Sequence, residues 1–111
     1  GPAGQAGTSF SVSLESTGRT LALSDNLTYI KCSPSSPGAT YTVPPQSDVS
    51  WPDSCEVAFE QGNAFPITIA AGSGVTINSS ATLVTSGQYA VIALKRVSTN
   101  TWTLTGERAT T

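Results

Sequence analysis

The sequence predicts an all-β domain, an antiparallel β-sandwich or barrel of about nine short strands, and three observations support this. Short segments that alternate apolar and polar residues recur between residues that favour turns. No long stretch keeps apolar positions at helical spacing without glycine, proline or β-branched residues intervening. Charged residues make up only 11% of the chain, against roughly 25% in ordinary domains, and serine and threonine take their place.

In the first half of the chain, short predicted strands are separated by turns. Val12 and Leu14 alternate with serines, and this alternation predicts that aliphatic side chains point inward. Segment 33–38 is too rich in proline and serine for a strand and is predicted to be an exposed loop. The other strands predicted here centre on Leu21 and Leu23, on segment 27–32, and on Tyr41 and Val43.

The second half predicts a β-hairpin over residues 65–77, in which Gly72 and Gly74 allow positive φ in the turn. The longest apolar strand is predicted over residues 89–97, after a short segment at Leu83. The inward faces are predicted to carry Val57 and Phe59, then Ile67 and Ile69 with Val75 and Ile77 in the hairpin, then Ala90, Ile92 and Leu94, and finally Trp102 and Leu104.

Residues 1–8 differ from the single domain predicted over residues 9–111. Gly1, Gly4 and Gly7 recur at every third position, which is the period of collagen, where only glycine fits at the axis of three wound chains. Gly1 with Pro2 is also a common remnant of tag removal. The segment is therefore the end of a collagen-like stalk, which would make the protein a homotrimer, or a linker or tag remnant.

Charge and hydropathy weigh against two classes of partner. The net charge is −2, and of the five basic residues only Lys95 and Arg96 are adjacent, which is too sparse for phosphate neutralisation. No apolar run approaches the roughly 20 residues of a membrane-spanning helix. We expect neither nucleic-acid binding nor membrane insertion.

The two cysteines, Cys32 and Cys55, leave two possibilities open. A disulfide between them would stabilise the fold by about 3 kcal/mol through loop entropy. Alternatively, they are free thiols on neighbouring strands that pack as small apolar residues.

The sequence offers no catalytic constellation. It contains no histidine, which removes Ser-His-Asp and Cys-His arrangements and histidine-based metal sites. An acid–base pair could be Asp53 with Glu56, or Glu56 with Glu60, which would share one strand face, but solvated outer-face residues are the simpler explanation. Asp25, Asn26 and Asp48 could offer oxygens to Ca²⁺, but their spacing fits turns better than a ligand loop. We predict no enzyme activity, metal site or cofactor.

Two aromatic residues are candidates for ligand binding. Trp51 lies between two prolines in a predicted loop, with Tyr41 nearby in sequence, and an exposed indole ring could stack on a sugar. The alternative is that Trp51 folds back over one end of the domain or packs against a neighbouring subunit. Trp102 alternates in phase with Leu104 and is predicted to be core.

Five phrases occur in a recognisable order along the chain: TVPP (42–45), VAFEQG (57–62), ITIAAGSGVTIN (67–78), YAVIALKR (89–96) and NTWTLTG (100–106). Their succession over residues 19–108 resembles the small β-rich modules of tail-fibre, tailspike and other virion proteins of tailed phages and prophages. The two cysteines and segment 33–38 depart from that pattern. The resemblance brings no catalytic motif.

The resemblance implies a virion surface protein that is assembled in the reducing cytoplasm of the host, where a disulfide is disfavoured. Such modules are often trimeric, and collagen-like repeats precede some of them. The expected function is host-surface attachment, as a homotrimeric receptor-binding knob for a bacterial glycan or protein. The alternative is a structural head fibre or decoration, or a trimerisation cap, with no specific ligand.

Overall fold

The structure is a computed structural model that describes residues 10–111. Over this range the chain forms eight β-strands and one short 3-10 helix, Leu23–Asp25, and no α-helix. The all-β prediction is confirmed. The stalk, linker or tag segment predicted at residues 1–8 lies outside the described residues.

The strands form two open sheets. A large sheet has the order β1-β2-β4-β7-β8-β6, and β3 and β5 form a small one, so β1 and β6 are the edges of the large sheet. In chain order the strands are β1 (Ser11–Glu15), β2 (Thr28–Cys32), β3 (Ala39–Val43), β4 (Glu56–Gln61), β5 (Ile67–Ala71), β6 (Thr76–Ser79), β7 (Val91–Ser98) and β8 (Thr101–Gly106).

The prediction of antiparallel pairing is wrong for most strand pairs. β4 with β7 and β7 with β8 are antiparallel, but the pairs β1–β2, β2–β4, β3–β5 and β6–β8 are parallel. The reason is the length of the connections. A parallel pair needs a crossover of about a dozen residues or more, which segment 16–27 provides between β1 and β2, whereas only residues 99–100 separate β7 from β8.

The predicted hairpin over residues 65–77 is also wrong, because its two arms belong to different sheets. The amide of Gly72 donates to the carbonyl oxygen of Val43 at 2.8 Å, and a Cβ at Gly72 would lie 2.6 Å from that oxygen. Gly74 then adopts a φ of +77°, which favours glycine. The two glycines therefore carry the chain from β5 to the other sheet instead of closing a hairpin.

Two predicted strands are absent from the described range, and one begins later than predicted. Leu23 starts the 3-10 helix, and after Leu83 the chain makes only isolated bridges, Val84 with Thr68 and Thr85 with Arg108. β7 begins at Val91 because Tyr89 has a φ of +69°, a conformation that strands do not adopt. The loop predicted at residues 33–38 is confirmed.

Both sheets contribute to one hydrophobic core. The inward faces predicted for β4, β7 and β8 are confirmed, and burying each of these large side chains stabilises the fold by about 1.5–3 kcal/mol. From the large sheet come Ile30, Val57, Phe59, Ile92, Leu94, Trp102 and Leu104, and from the small sheet Tyr41, Val43, Ile67 and Ile69.

The predicted facing of β1 is wrong. Val12 and Leu14 are 66% and 77% exposed, whereas Ser13 and Glu15 on the opposite face of the strand are half-buried. The strand keeps the predicted alternation but presents the opposite face to the core. The physical reason is a cluster of charged side chains under Glu15, described in the next subsection.

Candidate functional site

The two aromatic residues predicted to bind a ligand lie in the core. Trp51 is 3% exposed, packs edge-on against Trp102 at 5.3 Å between ring centroids, and donates its Nε1–H to the carbonyl oxygen of Pro44 at 3.2 Å. Tyr41 is fully buried, with its ring 5.1 Å from that of Phe59. The expectation of an exposed platform for stacking is wrong, because both rings are packed in the core. The alternative, in which Trp51 folds back, describes its position better.

The two cysteines are free thiols, and both are buried. The parallel register places Cys32 opposite Gln61 at one end of β4, whereas Cys55 precedes the other end. Six residues of strand correspond to about 20 Å, far beyond the reach of a disulfide. Burial raises the pKa of the Cys55 thiol to about 11, so it is not a reactive thiolate at neutral pH.

Two of the carboxylates considered as an acid–base pair, Glu56 and Glu60, lie on the outer face of β4, and each is next to a lysine. Glu56 lies 3.6 Å from the ammonium of Lys95, and Glu60 lies 3.6 Å from that of Lys31. Glu60 also accepts a hydrogen bond from the hydroxyl of Tyr29 at 2.7 Å. Burial and that carboxylate raise the pKa of Tyr29 to about 12. The two glutamates therefore serve cross-strand ion pairs.

The residues considered for Ca²⁺ binding are used in hydrogen bonds of the fold instead. Asp25 accepts a local hydrogen bond from the amide of Ala22 at 2.7 Å, whereas Asn26 accepts a long-range one from the amide of Glu56 at 3.1 Å. Asp48 lies in a turn, where its amide donates to the carbonyl oxygen of Pro45 at 2.9 Å. Between residues 10 and 111 no group of three or more acidic, cysteine or histidine side chains is placed to hold a metal ion. In the same range, no helix has the length and apolar character needed to cross a membrane.

A cluster of charged side chains lies beneath β1, and we call Glu15, Arg19, Asp25 and Tyr41 the Arg19 cluster. Arg19 donates to both oxygens of Glu15 at 2.7 and 3.1 Å and to both oxygens of Asp25 at 2.7 and 2.9 Å. The hydroxyl of Tyr41 donates to Glu15 at 2.8 Å. Two-pronged guanidinium–carboxylate pairs are strong and directional, so the cluster fixes the position of Glu15.

Titration of the two carboxylates is dominated by the same contacts. Burial raises the pKa of Glu15, but hydrogen bonds from Arg19, Tyr41 and Ser13 outweigh it and hold that pKa below the ordinary 4.5. Burial likewise raises the pKa of Asp25, and hydrogen bonds from Arg19 and Ala22 bring it below the ordinary 3.8. Both groups are therefore charged at neutral pH, as the cluster requires.

The Arg19 cluster sets which face of β1 points outward. Successive side chains of a strand point to opposite faces, so a slip of one residue would bury Val12 and Leu14 and expose Glu15. That slip would break the hydrogen bonds of Glu15 with Arg19 and Tyr41. Asp25 would then be the one carboxylate left paired with Arg19 in the cluster. The hydrogen bonds of Glu15 thus keep two aliphatic side chains in solvent.

The outer face of the large sheet at β1 carries several exposed apolar side chains. In the strand register Val12 lies beside Tyr29, and Leu14 lies beside Lys31. The ammonium of Lys31 lies 5.6 Å from the ring centroid of Tyr89, which is 61% exposed. We call Val12, Leu14, Tyr29, Lys31 and Tyr89 the β1 patch.

The β1 patch is the feature that sequence reasoning missed. A shallow depression of about 460 Å³ borders it, lined by Leu14, Lys31 and three polar neighbours, Glu15, Ser16 and Ser33. The sequence carries no local signal for the patch, because Ser11, Ser13 and Glu15 make one strand face entirely polar, and a polar face predicts exposure to solvent. Only the contacts of Glu15 with Arg19, which come from the fold, account for the opposite facing.

The comparisons with known proteins give no further assignment. No protein-family model matches the chain, and neither the curated proteins nor the solved structures contain a significant match.

Proposed function

We propose that this chain is a structural module of a tailed-phage fibre, a trimerisation cap or virion decoration that holds copies of itself together. The observation that carries the proposal is the distribution of apolar side chains. Trp51 and Tyr41 are used in the core, whereas Val12, Leu14 and Tyr89 are exposed together on one face. Single exposed apolar side chains are ordinary, but several on one face of a sheet indicate a contact surface.

Sequence features support the virion setting of this proposal. The five phrases that resemble phage fibre and spike modules fall on the strands and loops of one all-β domain, which agrees with such a module. In this proposal the two open sheets form a β-sandwich, and three copies form a homotrimeric knob. The glycine period at residues 1–7 supports three copies, and association would add stability to the modest core of a chain of 111 residues.

The proposed role requires no chemistry from the module. The carboxylates of β4 are paired with lysines, and the net charge of −2 offers little to a nucleic acid. The partners are other copies of the chain, and neither a cofactor nor catalysis is part of the proposal.

Host attachment is the second candidate, and one groove favours it. A groove of about 200 Å³ lies between residues 16–18 and residues 34–39, and it is lined by serine and threonine hydroxyls and by Pro34 and Pro37. Hydroxyls can hydrogen-bond to a sugar, and proline rings offer it an apolar surface. The ligand would then be a glycan or protein of the bacterial surface.

Two measurements on the purified chain test the proposal. Sedimentation velocity at tens of micromolar is expected to give a trimer, and the chain is expected not to adhere to phage-sensitive bacteria. A monomer would overturn the assembly role. Adhesion that is lost in Ser36→Asp, which places a charge in the groove, would establish attachment instead.

A further inference from the structure

We infer that the β1 patch is the surface through which copies of this chain contact one another, packed side by side around a shared axis. This inference rests on the proposed assembly role and goes beyond it by naming the contact. It commits to a second copy of the chain as the occupant of the patch.

The first step is the cost of leaving the patch in water. Val12 and Leu14 are 66% and 77% exposed, although a slip of one residue would bury them. The Arg19 cluster prevents that slip, with four charged hydrogen bonds from Arg19 to Glu15 and Asp25. Aliphatic side chains held outward in this way are stabilised when a second protein surface covers them and removes them from water.

The second step is the position of the patch along the chain. Gly7 ends the glycine period, and β1 begins at Ser11, four residues later. Four residues span at most about 14 Å. Association of copies through the segment that precedes β1 would therefore hold their β1 strands close together, whereas the opposite edge of the sheet, β6, is more distant in sequence.

The third step is charge. Lys31 of the patch is paired with Glu60 on the neighbouring strand β4, so positive and negative charge balance there. Copies of this face can approach without net repulsion, and a lysine of one copy can meet a glutamate of the next. A patch with a single sign of charge would have favoured a partner of the opposite sign.

The fourth step is shape. The depression of about 460 Å³ beside Leu14 offers room for a side chain from a neighbouring copy. β1 is also an edge strand with one neighbour in its sheet, so its outer backbone groups have no strand beside them in the described fold. Exposed edges are commonly protected by association.

The experiment compares two double variants of the complete chain by sedimentation velocity. Val12→Ser/Leu14→Ser removes the two aliphatic side chains of the patch, and Leu23→Ser/Val97→Ser removes two exposed side chains, 51% and 55% exposed, that are not members of the patch. Near-ultraviolet circular dichroism checks that both remain folded. We expect the patch variant to weaken assembly by about tenfold for each side chain removed, and the control variant to assemble as the native chain does.

A covalent readout accompanies the sedimentation. Leu14→Cys places the one exposed thiol of the described chain in the patch, because Cys32 and Cys55 are buried, and Val97→Cys places it elsewhere. A short bismaleimide is expected to link copies through position 14 and not through position 97. The same labelling pattern at both positions would contradict the inference.

The outcomes separate the two proposals. If the native chain assembles and the patch variant assembles equally well, this inference fails and the proposed function stands. If the native chain is a monomer, the proposed function fails. A monomer whose patch binds host lipopolysaccharide, detected as a loss of binding in the patch variant, would assign the surface to a ligand and overturn the inference.

Discussion

β1 and the central strands β4, β7 and β8 follow the same rule of alternation and arrive at opposite arrangements. In β7, Leu94 is buried and its neighbour Lys95 is exposed. In β1, Leu14 is exposed and its neighbour Glu15 is half-buried. The difference teaches that alternation fixes the period of a strand, whereas the partners available beneath it decide which face is turned inward.

The largest expected effect comes from removing the same side chain in the two regions. Leu94→Ala creates a cavity in the core and is expected to lower the free energy of unfolding by about 2–5 kcal/mol. Leu14→Ala removes atoms that are already in solvent and is expected to change it by less than about 0.5 kcal/mol. Urea unfolding followed by tryptophan fluorescence, at a concentration low enough for monomers, gives both values. Similar losses in the free energy of unfolding for the two variants would mean that Leu14 is packed as tightly as Leu94.

The next effect comes from the Arg19 cluster. Arg19→Ala leaves two neighbouring carboxylates without their cation, and we expect it to lower the free energy of unfolding by roughly 2 kcal/mol, below the 3–5 kcal/mol of a fully buried pair because Arg19 is partly exposed. Lys95→Ala breaks an exposed pair and is expected to cost less than about 1 kcal/mol. If thermal or urea unfolding shows the same loss of stability for Arg19→Ala and Lys95→Ala, the Arg19 cluster does not determine which face of β1 points outward.

Acid should act on the same cluster. The folded-state pKa values of Glu15 and Asp25 lie below their ordinary 4.5 and 3.8, so the stability they provide is complete above those ordinary values. It is lost as the pH falls through the lowered, folded-state values. We expect the unfolding midpoint of the native chain to fall as the pH drops below 4.5. The fall should be shallower in Glu15→Gln, and parallel curves would contradict this.

The smallest effect concerns the two thiols. Both should react slowly with a thiol reagent in the folded state, and a reducing agent should leave the unfolding midpoint unchanged, because no disulfide is present. Cys32 lies beside Glu15 in the register of β1 and β2, so opening of the edge strand uncovers it before Cys55. Peptide mass spectrometry should show Cys32 labelled first, and faster labelling of Cys55 would place the weaker region in the centre.

The sequence predicted what depends on local pattern. The all-β class, the inward faces at Val57 and Phe59, and the core position of Trp102 all follow from a period of two. Sheet pairing did not follow, because a glycine-rich turn such as residues 72–74 fits a hairpin and a passage between sheets equally well. Whether two strands pair parallel or antiparallel depends on the connections between them, and hydrophobic alternation does not reveal those connections.

The candidate site could not be predicted from local sequence patterns, for a related reason. Val12 and Leu14 show their alternation with serine, but their exposure depends on Arg19 and Asp25, which come from a later turn. Trp51 lies in an irregular segment with no period, so the sequence leaves burial and exposure of its ring as two alternatives, and only the fold brings it against Trp102. Side chains whose partners are distant in sequence are the ones the sequence placed least well.

Hydroxyl-radical labelling of the native chain tests most directly whether copies cover the outer face of β1. Leu14 and Tyr89 should be labelled several-fold more slowly at tens of micromolar than after dilution to monomers. Leu23 and Val97 should be labelled at one rate throughout. If Leu14 is labelled as rapidly as Val97 at every concentration, no copy covers β1, and the account is contradicted.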